Sequence, residues 1–304
     1  MTEDNRYASE LLPGRLFGSK NRPDVPTYQN GVVTMICRYE VNLDNGKLLS
    51  YRRLQEGENA FNVWYAYRVV TEPLSWFNNQ PYVDTLNPEA IQKFIAVTHE
   101  PYYQAVGQYF AKMVPTIFTD EPSFHKQEFM VDGAVGEDVG IAYTDNLEMH
   151  FCSRYGYSLL DHLPEVFWER ADGALSQIRY HYYDCVAWLF SEAYGKTLGD
   201  WCDAHNLLLT GHLLFEDKLQ GQSEVVGDVM RTLRYFTWPV KELTFERLYR
   251  GGGGNSATFL SKWQIWKQVT VNRFFVLFGD SIQRIICWRK VSSARFVPTT
   301  TLRM

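Results

Sequence analysis

The chain is poor in the features that place a protein quickly. Its five cysteines, Cys37, Cys152, Cys185, Cys202 and Cys287, are odd in number, widely spaced and without a C-x-x-C pair. That excludes a disulfide framework and a cysteine zinc site, and predicts reduced, mostly buried thiols in a cytoplasmic protein. No apolar run approaches the roughly 20 residues that span a bilayer; FFVLFG, from Phe274 to Gly279, is far too short. The opening MTEDNRYASE has neither the basic nor the apolar region of a signal peptide. The expectation is a cytoplasmic chain with no membrane partner. Basic charge is also scarce: 30 Lys and Arg stand against 35 Asp and Glu, a net charge of -5. With no clustered Lys/Arg face, nucleic acid is not an expected partner. No G-x-G-x-x-G follows a strand, which argues against a dinucleotide fold. No G-x-S-x-G is present, and no cysteine sits in a nucleophile context. Gly251 to Gly254 has no strand before it and no Lys-Ser/Thr after it, so it reads as a flexible linker rather than a phosphate cradle.

What remains is a soluble-type composition over 304 residues, with 45% hydrophobic, 21% charged and 15% aromatic positions. Rings in that number suit stacking on sugars, and they equally suit a large aromatic core. Residues 1–30 read as irregular. GVVTMICRYEV, KLLSYRRL and NAFNVWYAYRVV read as strands, the first two joined by a hairpin turn at Asn45-Gly46. The period then changes. Asn87 caps a helix with Pro88 at its first position, and Pro101 should kink that helix or start a second one. PTIFT is a short strand. NLEMHFCSRYGYS is a helix closed near Gly156. A long amphipathic helix follows, capped at Ser176 and extending through Trp201. LLLTGHLLFED begins as a strand, and QSEVVGDVMRTLRYF is helical again.

Strands alternating with helices predict an α/β fold with a parallel sheet, either open and doubly wound or a (β/α)8 TIM barrel. Residues 241–304 lack this rhythm and are basic. They form a separate poorly matching segment: an appended module, disordered, or out of frame. Residues 1–240 carry the fold.

Both clear strands end in acids. The first gives Thr119, Asp120 and Glu121; the second gives Thr210, Gly211, His212, Glu216 and Asp217. In a barrel, strand C-termini build the active site. Two carboxylates there are what glycoside hydrolysis needs, one protonating the leaving oxygen and one activating water or attacking the anomeric carbon. His212 follows a glycine at a strand end and suits hydrogen bonding to substrate or orienting a carboxylate. Trp76, Phe77, Asn78, Tyr82 and Asp84 crowd one loop, a sugar-binding mixture of rings, amide and carboxylate. The alternative is a loop held down by its aromatics.

SWFNNQPYVDTLNPEAIQKFIAVTHEPYY, IFTDEPSF, RYHYYDCVAWLFSEAYGKTLGDWCDAHNLLLTGHLLFED and GQSEVVGDVM together resemble bacterial α-L-rhamnosidase-like glycoside hydrolases, over residues 60–238. Such proteins are long, with a central TIM barrel and accessory β-domains. The resemblance implies that Glu121 is a catalytic carboxylate acting as general acid, with Glu216 its partner. His212 and Asp120 would support them, and Trp76, Asn78, Tyr82 and Asp84 would hold an oligosaccharide or glycoside. No cofactor and no metal are expected. The Gly-Ile-Asp turn usual in the group is absent after Pro239, so the expected barrel is incomplete. Two other readings stand beside this one. One is an inactive barrel remnant that binds carbohydrate or nothing. The other is a metal-dependent hydrolase using His212, Glu216 and Asp217.

Overall fold

The computed structural model describes residues 5–12, 14–18, 33–124, 139–216, 218–243, 273–278, 285–291 and 295–302. The strands in chain order are β1 (Glu10–Leu11), β2 (Gly14–Gly18), β3 (Val33–Asp44), β4 (Lys47–Arg53), β5 (Asn62–Val70) and β6 (Thr116–Asp120). They continue with β7 (Ala142–Tyr143), β8 (Leu208–His212), β9 (Trp238–Leu243), β10 (Arg273–Phe278), β11 (Ile285–Val291) and β12 (Arg295–Leu302). The helices are α1 (Pro88–Val106), α2 (Leu147–Tyr155), α3 (Pro164–Phe167), α4 (Gln177–Phe190), α5 (Thr197–Ala204), α6 (Leu219–Val225) and α7 (Val229–Leu233). The chain divides into two compact units: residues 1–99 with 124–194, and residues 100–123 with 195–304.

The first unit is built on an antiparallel sheet in the order β4-β3-β5-β1-β7, with β2 also pairing β5. Its β3–β4 hairpin turns at Asn45 (φ 48°) and Gly46 (φ 78°), the two left-handed residues that a tight hairpin requires. β5 is central, and its run Val63–Tyr67 is buried throughout, as expected of a strand covered on both faces. Trp64 is the hub of the packing. Its ring lies 5.4 Å from Tyr39, 4.8 Å from Phe167 and 5.3 Å from Trp168. Such ring pairs add stability beyond the area they bury. Tyr182 on α4 is fully buried and donates its hydroxyl to the Ala142 carbonyl at 2.7 Å, tying the helix to β7. Much of the aromatic content is therefore core.

Local helix signals act as expected. Asn87 Oδ1 accepts the Glu89 N–H at 2.9 Å, and Ser176 Oγ accepts the Arg179 N–H at 3.1 Å. Gly156 closes α2 at φ 80°. α1 runs through Pro101 without a break. The long helix expected after Ser176 is three pieces: α4, a π-helical turn at Ser191–Lys196, and α5.

The second unit contains the sheet order β12-β11-β10-β9-β8-β6. β6, β8, β9 and β10 run parallel, whereas β11 and β12 are antiparallel additions. This overturns the expected TIM barrel. Among the described residues the sheet is open, with β6 at one edge and β12 at the other. A barrel needs its parallel strands closed on themselves, so that every C-terminal end opens on one mouth. Reversed strands point their ends the opposite way. The proposed boundary at 240 falls inside β9, and Gly251 to Gly254 lie outside the described residues.

Candidate functional site

In the second unit, β6 and β8 pair in register from Thr116↔Leu208 to Asp120↔His212. Register partners in a parallel pair share a face, and residues two apart on one strand share it too. Phe118 and Asp120 therefore lie on the same face as Thr210 and His212. The side chains meet there. His212 Nε2 lies 3.0 Å from Asp120 Oδ1, and the Phe118 ring stands edge-on to the imidazole with centroids 5.5 Å apart. His212 is mostly covered, while the Asp120 carboxylate is open to solvent. Phe118 is 46% exposed, high for a phenylalanine on a strand. It was not among the expected contact residues, although its two-residue spacing from Asp120 could have found it.

The strands approach closely at Gly211. Its φ is 143°, and a Cβ there would stand 2.0 Å from the Thr119 carbonyl oxygen. No other residue type fits, which explains the glycine before His212. Glu121 follows β6 with φ 47°, immediately before Pro122. A left-handed residue that is not glycine is uncommon and carries strain, a recurrent feature of functional turns. Its side chain is exposed. Phe215, in the turn after β8, is likewise left-handed at φ 53°. Glu216 is 5% exposed. Its Oε2 accepts the Leu213 N–H at 3.3 Å, and its carbonyl accepts from Gln222 Nε2 at 2.7 Å. The Glu216 carboxylate thus holds its own turn. Asp217 lies outside the described residues.

The remaining expected contacts belong to the first unit. Trp76 sits on a 3-10 turn, Ser75–Phe77, and is 87% exposed. Asn78 closes that turn in the left-handed region, its N–H donating to the Ser75 carbonyl at 3.2 Å. Tyr82 packs its ring on Phe77 at 4.9 Å. Asp84 is 4% exposed. It accepts the Thr144 hydroxyl at 2.6 Å and the Leu86 N–H at 3.0 Å, and burial pushes its carboxyl up to about 7. Asp84 ties its loop to the residue after β7.

Among the described residues, no group of three or more His, Cys, Asp or Glu stands where it could hold a metal ion, and no helix is long and apolar enough to cross a membrane. No protein-family model matches the chain, and no curated protein matches it. Among solved structures, a rhamnosidase from Novosphingobium sp. PP1Y is similar at 16% identity and a TM-score of 0.44, covering 65% of this chain and 19% of that one. The chain thus spans about a fifth of that structure's length. A likeness this partial shows neither a family nor a shared fold.

The expected glycoside hydrolase of the rhamnosidase type is corrected accordingly. No family supports it. Among the described residues the sheet lacks the closed mouth that would gather two catalytic carboxylates, and Glu216 is engaged with its own turn. The terms glycosidase, TIM barrel and rhamnosidase-like fall with it. What the fold and site define is a mixed α/β chain with a polar and aromatic cluster at the end of an edge strand.

Proposed function

We propose that the chain is a binding module for polyhydroxylated ligands, oligosaccharides or glycosides, engaged at the C-terminal ends of β6 and β8. The observation that carries this is the Asp120–His212 pair at 3.0 Å beside a half-exposed Phe118. An exposed carboxylate accepts from neighbouring hydroxyls, and a covered histidine fixes its orientation. A ring edge-on to the pair offers an apolar face to the C–H side of a sugar. Glu121 supplies a second exposed acceptor at the strand end, and Glu216 holds the following turn in place. In the first unit, the exposed Trp76 with Asn78 and Tyr82 offers a separate stacking surface for the same class of ligand. Unpaired thiols at Cys37, Cys152, Cys185 and Cys202 suit a reducing, cytoplasmic setting.

Calorimetric titration with a panel of neutral oligosaccharides tests this reading. Binding is expected, and Asp120→Asn and His212→Ala should each weaken it about tenfold, the equivalent of one hydrogen bond to a charged group. Glu121→Gln should weaken it less. Absence of binding across the panel at about 1 mM, or unchanged affinity in both variants, would sink the proposal.

A further inference from the structure

Beside the start of α4, the first unit holds a cavity of about 450 Å³. That lies within the roughly 300–1,000 Å³ range of small-molecule sites. Three cations line it, and they are not equivalent. Lys47 pairs with Glu169 at 3.2 Å. Arg170 pairs with Asp172 at 2.6 Å and with Glu165 at 3.5 Å. Arg179 is different: its Nε donates to the Val166 carbonyl at 3.1 Å, and among the described residues it has no ion pair. Burial lowers the pKa of this guanidinium from its ordinary value, while Tyr183, Glu169 and Glu165 act to raise it.

The cavity therefore presents a partly desolvated guanidinium and, elsewhere on its lining, the carboxylate of Glu169 that Lys47 pairs. Its walls carry the rings of Tyr180 and Tyr183. Planar guanidinium groups take carboxylates through two parallel hydrogen bonds, and they do so best where water is scarce. Aromatic walls favour a flat, apolar body behind the charge.

We propose that this cavity binds a small organic carboxylate with a flat apolar body, its carboxylate on Arg179. The site is separate from the β6–β8 strand ends and does not rest on the saccharide reading.

The test uses the full chain with benzoate and indole-3-acetate as probes, followed by saturation-transfer NMR and calorimetry. Benzamide and indole-3-acetamide serve as uncharged counterparts. The acids should bind, and the amides should bind at least about tenfold more weakly. Arg179→Gln should reduce acid binding by a similar factor, while its side-chain amide can still donate to Val166. Ala174→Trp puts a bulky ring on the cavity lining while leaving Arg179 in the sequence, and should abolish binding of the acids, which keeps the test decisive should the Arg179 variant fail to fold. Failure of both acids to bind at about 1 mM would overturn the proposal. So would equal binding of acids and amides, or acid binding that survives Ala174→Trp.

Discussion

Replacing Gly211 with alanine should damage the second unit out of proportion to the single methyl group added. A Cβ at this position would lie 2.0 Å from the Thr119 carbonyl oxygen and 2.8 Å from Thr119 Cγ2. The first is far inside van der Waals contact, and its partner is backbone, which has no rotamer to escape into. Relief requires β6 and β8 to separate by more than an ångström at the pair Thr119↔Gly211. Overpacking of this kind costs about 1–3 kcal/mol. The backbone adds to it: φ 143° is a conformation open to glycine and strained for alanine, at about 1–3 kcal/mol more. Together they amount to about 2–6 kcal/mol, against a total of about 5–15 kcal/mol for an ordinary domain. Urea denaturation followed by circular dichroism measures the loss. Gly57→Ala is the control, since Gly57 also has positive φ (75°) but open space at its Cβ position; it reports backbone strain alone. Gly211→Ala should lose about 1–3 kcal/mol more than the control. A Gly211→Ala protein within about 0.5 kcal/mol of the parent would refute the close β6–β8 approach on which the site depends.

Further outcomes follow from single residues. Burial raises the Asp84 carboxyl to about 7 from an ordinary 3.8, so the folded state keeps a proton that the unfolded chain releases above pH ~4. Its contribution to stability is therefore present at low pH and lost as pH rises to about 7, by about 4 kcal/mol at most. Asp84→Asn should flatten that stretch of the stability profile in urea midpoints taken from pH 4.5 to 8, relative to the parent. Ser176→Ala removes the α4 cap and the hydroxyl bond to Glu165 at 2.8 Å; a loss of about 1–2 kcal/mol is expected in the same assay. Burial pushes Cys37 up to about 11, and Cys185 and Cys202 up to about 12. In the native state at pH 8 these three should resist iodoacetamide, and in urea they should react, as mass spectrometry of the peptides would show.

Local signals in the sequence were legible because they are local physics. Asn45-Gly46 turned where a hairpin needs two left-handed residues, Asn87 and Ser176 capped their helices, and Gly156 ended one. Strand partners were not legible. The runs from Val32 to Val70 read as strands, but nothing in them announces that β5 would pair β1 and β2 from the chain's start, or that β1 would pair β7. The barrel expectation failed for the same reason. Residues 88–212 alternate helix and strand whether a sheet is open or closed; closure depends on strands beyond Pro239, where the pattern had run out and where β11 and β12 turned antiparallel. At the site, Asp120 and His212 each end a strand, so their meeting was within reach of register arithmetic. The burial of Asp84 and of the Glu216 carboxylate was not, because it arises from contacts with Thr144 and with the Leu213 turn.

The most direct measurement is an NMR titration of the isotope-labelled chain with the oligosaccharides that bind in calorimetry, following the His212 ring and the amides of Phe118, Asp120 and Glu121. If the β6–β8 end is the binding surface, these signals shift together and saturate, and Asp120→Asn displaces the curve by about tenfold in concentration. Binding that leaves the His212 ring and the Phe118–Glu121 amides unmoved would contradict it.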